Sequence, residues 1–393
     1  MSTEESVRIP FTDLRAMHEE VRTEIEAAWR DIIDRSAFVG GPAVTSFERA
    51  FADYCGADHC VGVGSGTDAL RIALQAVGVN AGELVVTVSQ TFIATVEAIT
   101  QSGAAPVFVD VEPVTYTMDP DRVRDYLERG CLVRQGQLFD RLNGRRVVCL
   151  LPVDLYGQPA DYERLLALAA HYDLRVVEDA CQAHGARYDG RVCGTFGDVS
   201  AFSFYPGKNL GAMGEAGAIV TSDEAIARQC RILREHGQRD RYIHVTGAGS
   251  NARLDALQAV VLAAKLERLP RWNEARRRVV GWYRERLAGF DLVLPRERAG
   301  SQHVYHLFVV LTKDRERVRR ALEARGIATG LHYPVPLHQQ DAYRDVEYAR
   351  GPLTVSERVS NEGLSLPMFP HMTRSQVDAV GDALDGVLQT VGP

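Results

Sequence analysis

Lysine is scarce in this chain of 393 residues, with only Lys208, Lys265 and Lys313 against 42 arginines. Acidic residues outnumber basic ones, so the formal net charge is −7 and the isoelectric point is near 5.9. A nucleic-acid-binding protein normally carries a basic stripe, and this composition argues against that class. The run Arg276–Arg278 lies among helix-forming and acidic residues, which predicts a solvated helix face.

Long apolar runs and paired cysteines are missing as well. The longest apolar runs, such as Val147–Val153, have about seven residues, whereas roughly 20 are needed to cross a bilayer. The first ten residues contain Glu4 and Glu5 and no apolar core, unlike a signal peptide. None of the seven cysteines forms a Cys-x-x-Cys pair or has partners at zinc-site spacing. We therefore expect free, buried or half-buried thiols in a cytoplasmic protein with no metal site and no membrane partner.

Short β-branched runs alternate with helical patterns between residues 45 and 222. Seven runs predict strands: Cys60–Gly64, Leu84–Val88, Pro106–Val111, Val147–Val153, Arg175–Asp179, Val199–Phe204 and Ala218–Thr221. Strands that are apolar throughout and separated by helices are typical of a mostly parallel sheet covered on both faces. The predicted fold class is α/β.

The pattern becomes more helical after Asp223. The spacing predicts a long helical region over Leu254–Leu287 with a kink or break at Pro270. A strand follows at Tyr305–Leu311, and the chain is expected to end in a helix at Gln376–Leu388.

Two domains follow from this change of pattern. We place a large domain at residues 15–250 and a smaller α/β domain at 265–393, linked by the helical segment 251–290. The polar stretch Gly130–Arg146 lacks periodicity and is predicted to be a surface insertion.

A glycine-rich segment, Gly62–Asp68, joins a predicted strand to a helix that should begin near Thr67. A helix N-terminus offers unpaired N–H groups and a positive dipole end, which together bind phosphate, and glycine permits close approach. The segment lacks the Lys-Ser/Thr of a P-loop, and Thr67 stands where a dinucleotide fingerprint has its third glycine. A phosphate site, a dinucleotide site and a plain turn all remain open for this loop alone.

Two further residues suggest chemistry. Asp179 ends a predicted strand at the carboxyl edge, where open α/β sheets bind ligands. A carboxylate there can keep a ring nitrogen protonated, although a helix cap is the alternative. Lys208 follows another strand and a Pro-Gly turn, and burial would lower its pKa and make it nucleophilic toward an aldehyde. Phosphate cradle, acid and amine together predict a pyridoxal 5'-phosphate (PLP) enzyme in which Lys208 also moves the substrate proton.

The chain resembles the DegT/DnrJ/StrS family of sugar aminotransferases over nearly its whole length, from Gly40–Pro42 through Ser365–Pro370. The resemblance implies the PLP fold type I, with a mostly parallel seven-stranded sheet in the large domain. It implies that Lys208 forms the Schiff base with PLP, that Asp179 contacts the pyridine nitrogen and that Gln182 lies near the ring hydroxyl. The other implied cofactor contacts are Gly66, Thr67 and Ser203 on the phosphate and Phe92 on the ring.

The family is dimeric, with active sites shared between subunits. The resemblance therefore implies that Asn251 reaches the cofactor phosphate of the neighbouring subunit. It also implies that Arg241, His332 and Tyr333 contact the nucleotide-sugar; the fork of an arginine suits a diphosphate. On local grounds alone, His332 would be a loop histidine and Phe92 a core residue.

The implied reaction moves an amino group from L-glutamate to a nucleotide-linked (dTDP or UDP) keto-sugar. The resemblance is strongest to members that act at C-3 of a 3-keto-6-deoxyhexose. Transfer at C-4 and transfer to an inosose are the alternatives. Rivals from other classes are a catalytically silent PLP-binding homologue, which the intact Lys208 argues against, and a nucleotide-cofactor oxidoreductase. Two positions depart from the family pattern: Val88 replaces a common proline, and Asp154 replaces a common histidine. We expect Asp154 to alter the sugar pocket.

Overall fold

The computed structural model describes residues 8–344 and 349–388. Its helices, in chain order, are α1 Leu14–Glu19, α2 Arg22–Asp34, α3 Gly41–Cys55, α4 Gly66–Ala76, α5 Ala94–Gln101, α6 Pro120–Asp125, α7 Tyr162–His171, α8 Glu224–Leu233, α9 Ala256–Leu266, α10 Leu269–Arg286, α11 Arg315–Glu323, α12 Thr354–Glu362 and α13 Arg374–Asp385. Its strands are β1 His59–Val63, β2 Leu84–Val88, β3 Ala105–Val109, β4 Cys131–Arg134, β5 Gln137–Asp140, β6 Val147–Leu150, β7 Arg175–Asp179, β8 Arg187–Tyr188, β9 Arg191–Val192, β10 Val199–Ser203, β11 Gly217–Thr221, β12 Gln238–Asp240, β13 Ile243–His244, β14 Ser301–Gln302, β15 Phe308–Leu311 and β16 Gly363–Leu366.

A seven-stranded sheet in the order β1-β11-β10-β7-β6-β2-β3 forms the centre of the fold. The strands from β10 to β3 pair in parallel, whereas β11 is antiparallel to both β1 and β10. Every residue of β2, β3, β6 and β11 is buried, as expected for strands covered on both faces. The predicted α/β class with a mostly parallel seven-stranded sheet is confirmed.

All seven predicted strands belong to this sheet. The largest difference in length is at β6, which was predicted to reach Val153 but ends at Leu150; Val153 forms only an isolated bridge with Asp179. Helices α1, α2, α3 and α12 were not predicted. The apolar pattern of α2 is thin because it lies on the surface, where its 13 residues bury only Ile25 and Ile32. Helix α3 is different, since it buries five residues, among them Phe47 and Phe51.

The predicted break in the long C-terminal helical region is confirmed. Helix α9 ends at Leu266 and α10 begins at Leu269. Pro270 occupies the first turn of α10, where a missing N–H costs no hydrogen bond within the helix.

The predicted surface insertion is mostly exposed and contains an antiparallel hairpin formed by β4 and β5. Its last residue, Asp140, is buried and accepts hydrogen bonds from the Tyr126 hydroxyl at 2.8 Å and from Arg350 Nε at 2.9 Å. A cross-strand ladder and one buried acid therefore order a segment whose sequence shows no clear periodicity.

Two large apolar clusters lie in the fold. One surrounds the central sheet, and the other joins Ile9 to α10, β15, β16 and α13. The division into domains at residues 15–250 and 265–393, with the link 251–290, remains a prediction. The last five residues of the predicted small domain, 389–393, lie outside the described residues.

The cysteine prediction is confirmed: all seven are free, six of them buried and Cys181 half-buried. Within residues 8–344 and 349–388, no helix combines the length and apolar character that a membrane span requires.

Arg276 corrects the prediction of a solvated arginine face. Its side chain is only 1% exposed, and Nη1 donates to the carbonyl oxygens of Tyr305 at 3.0 Å, His306 at 3.4 Å and Met368 at 3.1 Å. Burial lowers the pKa of Arg276 to about 9. Of its neighbours, Arg277 is half-buried and only Arg278 is exposed. Of the three arginines, the helical spacing of α10 thus places Arg276 on the buried face of the helix.

We expect Arg276→Met to lower the free energy of unfolding by about 3 kcal/mol, because three main-chain acceptors lose a buried donor. Urea denaturation measures the difference. The exposed Arg278→Met on the same helix is the matched control and should cost less than about 1 kcal/mol. Equal losses in the two variants would show that the buried hydrogen bonds contribute nothing.

Candidate active site

A cavity of about 620 Å³ opens at the carboxyl ends of β7 and β10, beside the N-terminus of α4. Most of the predicted site residues line it: Gly66, Thr67, Phe92, Asp179, Gln182, Ser203, Lys208, His332 and Tyr333. The fold thus brings together residues from five separate stretches of the sequence.

Lys208 lies in the turn that follows β10. Its main-chain N–H donates to the Tyr205 carbonyl at 2.8 Å, and the side chain is half-buried in the cavity wall. Burial lowers the pKa of the amine, while nearby Cys181 and Asp179 oppose part of that shift. A lowered pKa increases the fraction of neutral amine, which is the nucleophilic form.

A second lysine supports this turn. Lys265 is buried, and its Nζ donates to the Gly211 carbonyl at 2.6 Å, three residues beyond Lys208. Burial lowers the pKa of Lys265 to about 8. The third lysine, Lys313, is exposed and lies outside the cavity. Two of the three lysines therefore serve one loop.

Asp179 ends β7 with its carboxylate in the cavity wall. The Thr95 hydroxyl donates to Asp179 Oδ2 at 2.8 Å, and the Cys181 N–H donates to Oδ1 at 3.2 Å. Since the Thr95 proton is used on Asp179, the Thr91 hydroxyl, 2.9 Å from Thr95, must donate to Thr95. This chain of hydroxyls fixes the orientation of the carboxylate.

The glycine-rich loop forms the N-terminus of α4, which begins at Gly66 with Ser65 as its cap. A Cβ at Gly66 would lie 2.5 Å from Ser203 Cβ, so only glycine lets the loop pack against the end of β10. Gly66, Thr67 and Ser203 consequently present main-chain N–H groups and hydroxyls to one end of the cavity.

Both polar atoms of the Gln182 side-chain amide form hydrogen bonds. The Tyr156 N–H donates to Gln182 Oε1 at 2.7 Å, and Gln182 Nε2 donates to the Tyr333 hydroxyl at 3.2 Å. Tyr333 in turn lies at a tilt to Phe92, with ring centroids 5.6 Å apart.

Phe92 is 51% exposed, so the local interpretation of it as a core residue is wrong. Its ring forms part of the rim of the cavity.

Arg241 and Asn251 do not line the cavity of their own chain. Arg241 is exposed beside the hairpin of β12 and β13, where its guanidinium lies over the Tyr242 ring. Asn251 is exposed and forms an isolated bridge with Glu235. Both roles remain predictions, and that of Asn251 requires a second subunit.

Several cavity residues were missed by the sequence analysis, among them Phe11, Thr12, His306 and Met368. Phe11 stacks on His332 with ring centroids 5.6 Å apart. His306 Nδ1 is buried without a hydrogen-bond partner, and burial together with the charge of Lys208 lowers the pKa of His306 well below its usual range. No local pattern marks Phe11, Thr12 or His306, whereas Met368 lies within the Ser365–Pro370 motif but was given no role there.

The expectation for Asp154 is corrected. Asp154 is fully buried and does not line the cavity. Its Oδ1 accepts hydrogen bonds from the Ala160 N–H and the Tyr162 hydroxyl, both at 2.9 Å. The replacement of histidine at this position therefore lies behind the site instead of in the sugar pocket.

The model of the DegT/DnrJ/EryC1/StrS aminotransferase family matches residues 19–385 of the chain. The chain belongs to this family. Among curated members it is 43% identical to dTDP-3-amino-3,4,6-trideoxy-alpha-D-glucose transaminase of Streptomyces venezuelae, over 98% of this chain and 97% of that protein. It is 40% identical to UDP-N-acetyl-3-dehydro-alpha-D-glucosamine 3-aminotransferase of Acidithiobacillus ferrooxidans, over 97% and 98% of the two chains. The chain is thus a sugar aminotransferase, as predicted.

Solved structures agree with this assignment. DesV of S. venezuelae, in complex with a ketimine intermediate, superimposes with a TM-score of 0.89 at 43% identity and covers 96% of this chain and 98% of its own. NtdA of Bacillus subtilis, with its bound cofactor pyridoxamine phosphate, gives a TM-score of 0.86 at 29% identity over 98% and 86% of the two chains. The fold is therefore that of the PLP-dependent aminotransferases, as predicted.

The residues present in the cavity fit such a cofactor. A Cβ at Gly66 would fill the cradle beside Ser203, the helix N-terminus offers N–H donors for a phosphate, and Asp179 provides an anion across the cavity. Lys208, with its lowered pKa, supplies the amine. The individual roles of these residues remain predictions.

Thr95 offers a test of the site that does not remove a predicted cofactor contact. We expect Thr95→Val to lower kcat roughly tenfold, because a hydrogen bond to a charged acceptor contributes roughly 1.5–3 kcal/mol. Thr95→Ser keeps the hydroxyl and should restore most of the rate. Steady-state kinetics on both variants decide the matter: equal rates for valine and serine would mean that the hydroxyl does not orient Asp179.

Proposed function

We propose that this chain transfers an amino group from L-glutamate to C-3 of a nucleotide-linked 3-keto-6-deoxyhexose, using PLP bound through Lys208. The observation that carries the proposal is the meeting of Lys208, Asp179 and the Gly66–Ser203 cradle in one cavity. The choice of C-3 is supported by relatives 43% and 40% identical, whose names place the amino group or the enzyme's action at that carbon.

When bound, the cofactor supplies an electron sink that stabilises a carbanion next to the substrate nitrogen. The chain's own part is to hold charges and move one proton. Lys208 Nζ, neutral over a wider pH range because of its lowered pKa, accepts the substrate proton as a base and returns it as an acid. Asp179, oriented by Thr95, keeps a negative charge in the cavity wall.

Acceptor recognition follows from the cavity wall. Phe11, Leu307 and Met368 place apolar surface in the cavity, which suits the methyl group of a deoxy sugar. The tyrosine hydroxyl of Tyr333 and the imidazole of His332 supply polar contacts. We assign the nucleotide diphosphate, dTDP or UDP, to Arg241 because its guanidinium is exposed and can donate two hydrogen bonds at once.

A substrate panel tests this function. With L-glutamate as donor, mass spectrometry should show an amino product from dTDP- or UDP-linked 3-keto sugars and little from 4-keto sugars or an inosose. Lys208→Ala should form none, because the neutral amine is lost, whereas the exposed Lys313→Ala should match the wild type. Product from the 4-keto sugars alone would show that the enzyme aminates C-4 and not C-3. No product from any acceptor would favour a catalytically silent homologue.

The shared site of a homodimer can be tested by complementation. Asn251 is exposed and does not line its own chain's cavity, so we place it at the cofactor phosphate of the partner subunit. We expect Asn251→Asp to be inactive, because its carboxylate would repel that phosphate. Coexpression of Lys208→Ala and Asn251→Asp should then recover about a quarter of the wild-type rate, since half of randomly assembled dimers carry one intact site. Absence of recovery, with hybrid dimers verified by mass, would place Asn251 in its own subunit's site.

A further inference from the structure

Two carboxyl groups are buried on the face of β7 that points away from the cavity. Glu178 precedes Asp179 on the strand, and successive side chains point to opposite faces. One side-chain oxygen each of Glu178 and Asp154 and the Cys193 sulfur all lie within 4.8 Å of one another. All three residues are 0% exposed. Two acids therefore share one dry site behind the active-site acid.

The two carboxyl groups have different hydrogen-bond partners. Glu178 Oε1 accepts from the Gly194 N–H at 2.5 Å, and Oε2 accepts from the Phe196 N–H at 3.0 Å and the Ser200 hydroxyl at 2.9 Å. Such donors stabilise an ionised carboxylate. Asp154 accepts only at Oδ1, and its Oδ2 is buried with no partner. Oδ2 is the one oxygen of the pair that is free to carry a proton.

No cation balances these acids within the described part of the chain. The titratable groups that face them are Tyr162 of α7, Cys193, and Cys55 of α3, all neutral. Burial raises the pKa of Asp154 well above its usual range, and the charge on Glu178 raises it further. Two adjacent, unpaired buried charges would be very costly, so one of the acids must be neutral.

We propose that Asp154 is a neutral carboxylic acid whose Oδ2 proton is shared with Glu178, and that this shared proton holds the turn that positions Gln182. The link to catalysis rests on the function proposed above. Asp154 is a positioning residue, since it touches neither the cavity nor the reacting groups.

The turn depends on Asp154 at several points. The Ala160 N–H bound to Oδ1 closes the segment 154–160, and the Gly157 N–H donates to the Asp154 carbonyl at 3.2 Å. Tyr156, inside this segment, donates its N–H to Gln182 Oε1 at 2.7 Å. The Asp154 N–H also donates to the Asp179 carbonyl at 3.0 Å. Loss of the proton from Oδ2 would repel Asp154 from Glu178 and displace the donor that orients Gln182.

A divalent cation fits this cluster less well than a proton. The Glu178 oxygens already accept three hydrogen bonds, which Glu178 would have to give up or share in order to bind a metal. The test below therefore includes a metal analysis.

Kinetics against pH test the positioning role. Because the folded-state pKa of Asp154 is raised, its contribution is present at low pH and is lost as pH rises through that pKa. Asp154→Asn imitates the neutral acid and should retain kcat within about twofold at neutral pH while extending activity to higher pH. Asp154→Ala removes the contacts and should lose about ten- to hundredfold at every pH. Equal losses for Asn and Ala would overturn the proposal, because they would mean that a carboxylate is required.

Thermal unfolding of cofactor-free protein tests the shared proton without any substrate. Between about pH 6 and pH 10 the Tm of the wild type should fall more steeply on the alkaline side than that of Asp154→Asn. Asp140→Asn is the matched control: Asp140 is also buried but pairs with Arg350, which helps to lower its pKa, so its variant should keep the wild-type alkaline slope. Equal slopes for wild type and Asp154→Asn, or a bound metal lost in that variant, would overturn the shared proton. Failure of the sugar panel with these slopes intact would count against the proposed function alone.

Discussion

The Lys208 amine is half-buried within reach of the Asp179 charge, and its low pKa is the condition on which the chemistry of the site depends. In water a lysine side chain is a protonated ammonium, which is inert toward a carbonyl carbon. Desolvation favours the neutral form, while the nearby carboxylate prevents the shift from becoming larger. The turn that buries this lysine is supported from below by Lys265, whose own pKa is lowered to about 8 by burial. Two of the three lysines thus belong to this one turn and its support.

The second apolar cluster is tied to the site through a buried cation. Arg276 donates to the carbonyl oxygens of His306 and Met368, and both of these residues line the cavity. They lie two residues beyond the last pair of the β15–β16 ladder, Phe308 with Leu366, and the shared donor links them there. A change at Arg276 would thus affect both stability and the shape of the acceptor pocket, although the arginine itself never meets a substrate.

The fold and the centre of the site were predictable because their signals are local. Apolar runs ending in Asp179 or Ser203 mark strand ends, and parallel strands bring such ends to one edge. Residues such as Phe11 and His306 could not be found in this way, since only long-range packing brings them to the cavity. Arg276 was misinterpreted for a related reason: a charged residue looks solvent-exposed in sequence until tertiary structure supplies its partners. Sequence motifs therefore predict the reacting groups better than they predict the residues that hold those groups in place.

The alternation of side chains along β7 explains why the acid behind the site matters. A strand that presents Asp179 to the cavity must point Glu178 into the opposite layer, only one residue away. A full second charge from Asp154 on that side would add to the negative potential at Asp179 through a dry interior, where screening is weak. Keeping Asp154 neutral limits this potential and preserves the hydrogen bonds that shape the turn next to Gln182. Asp154 can therefore influence the site through charge and backbone geometry, without any contact with the sugar.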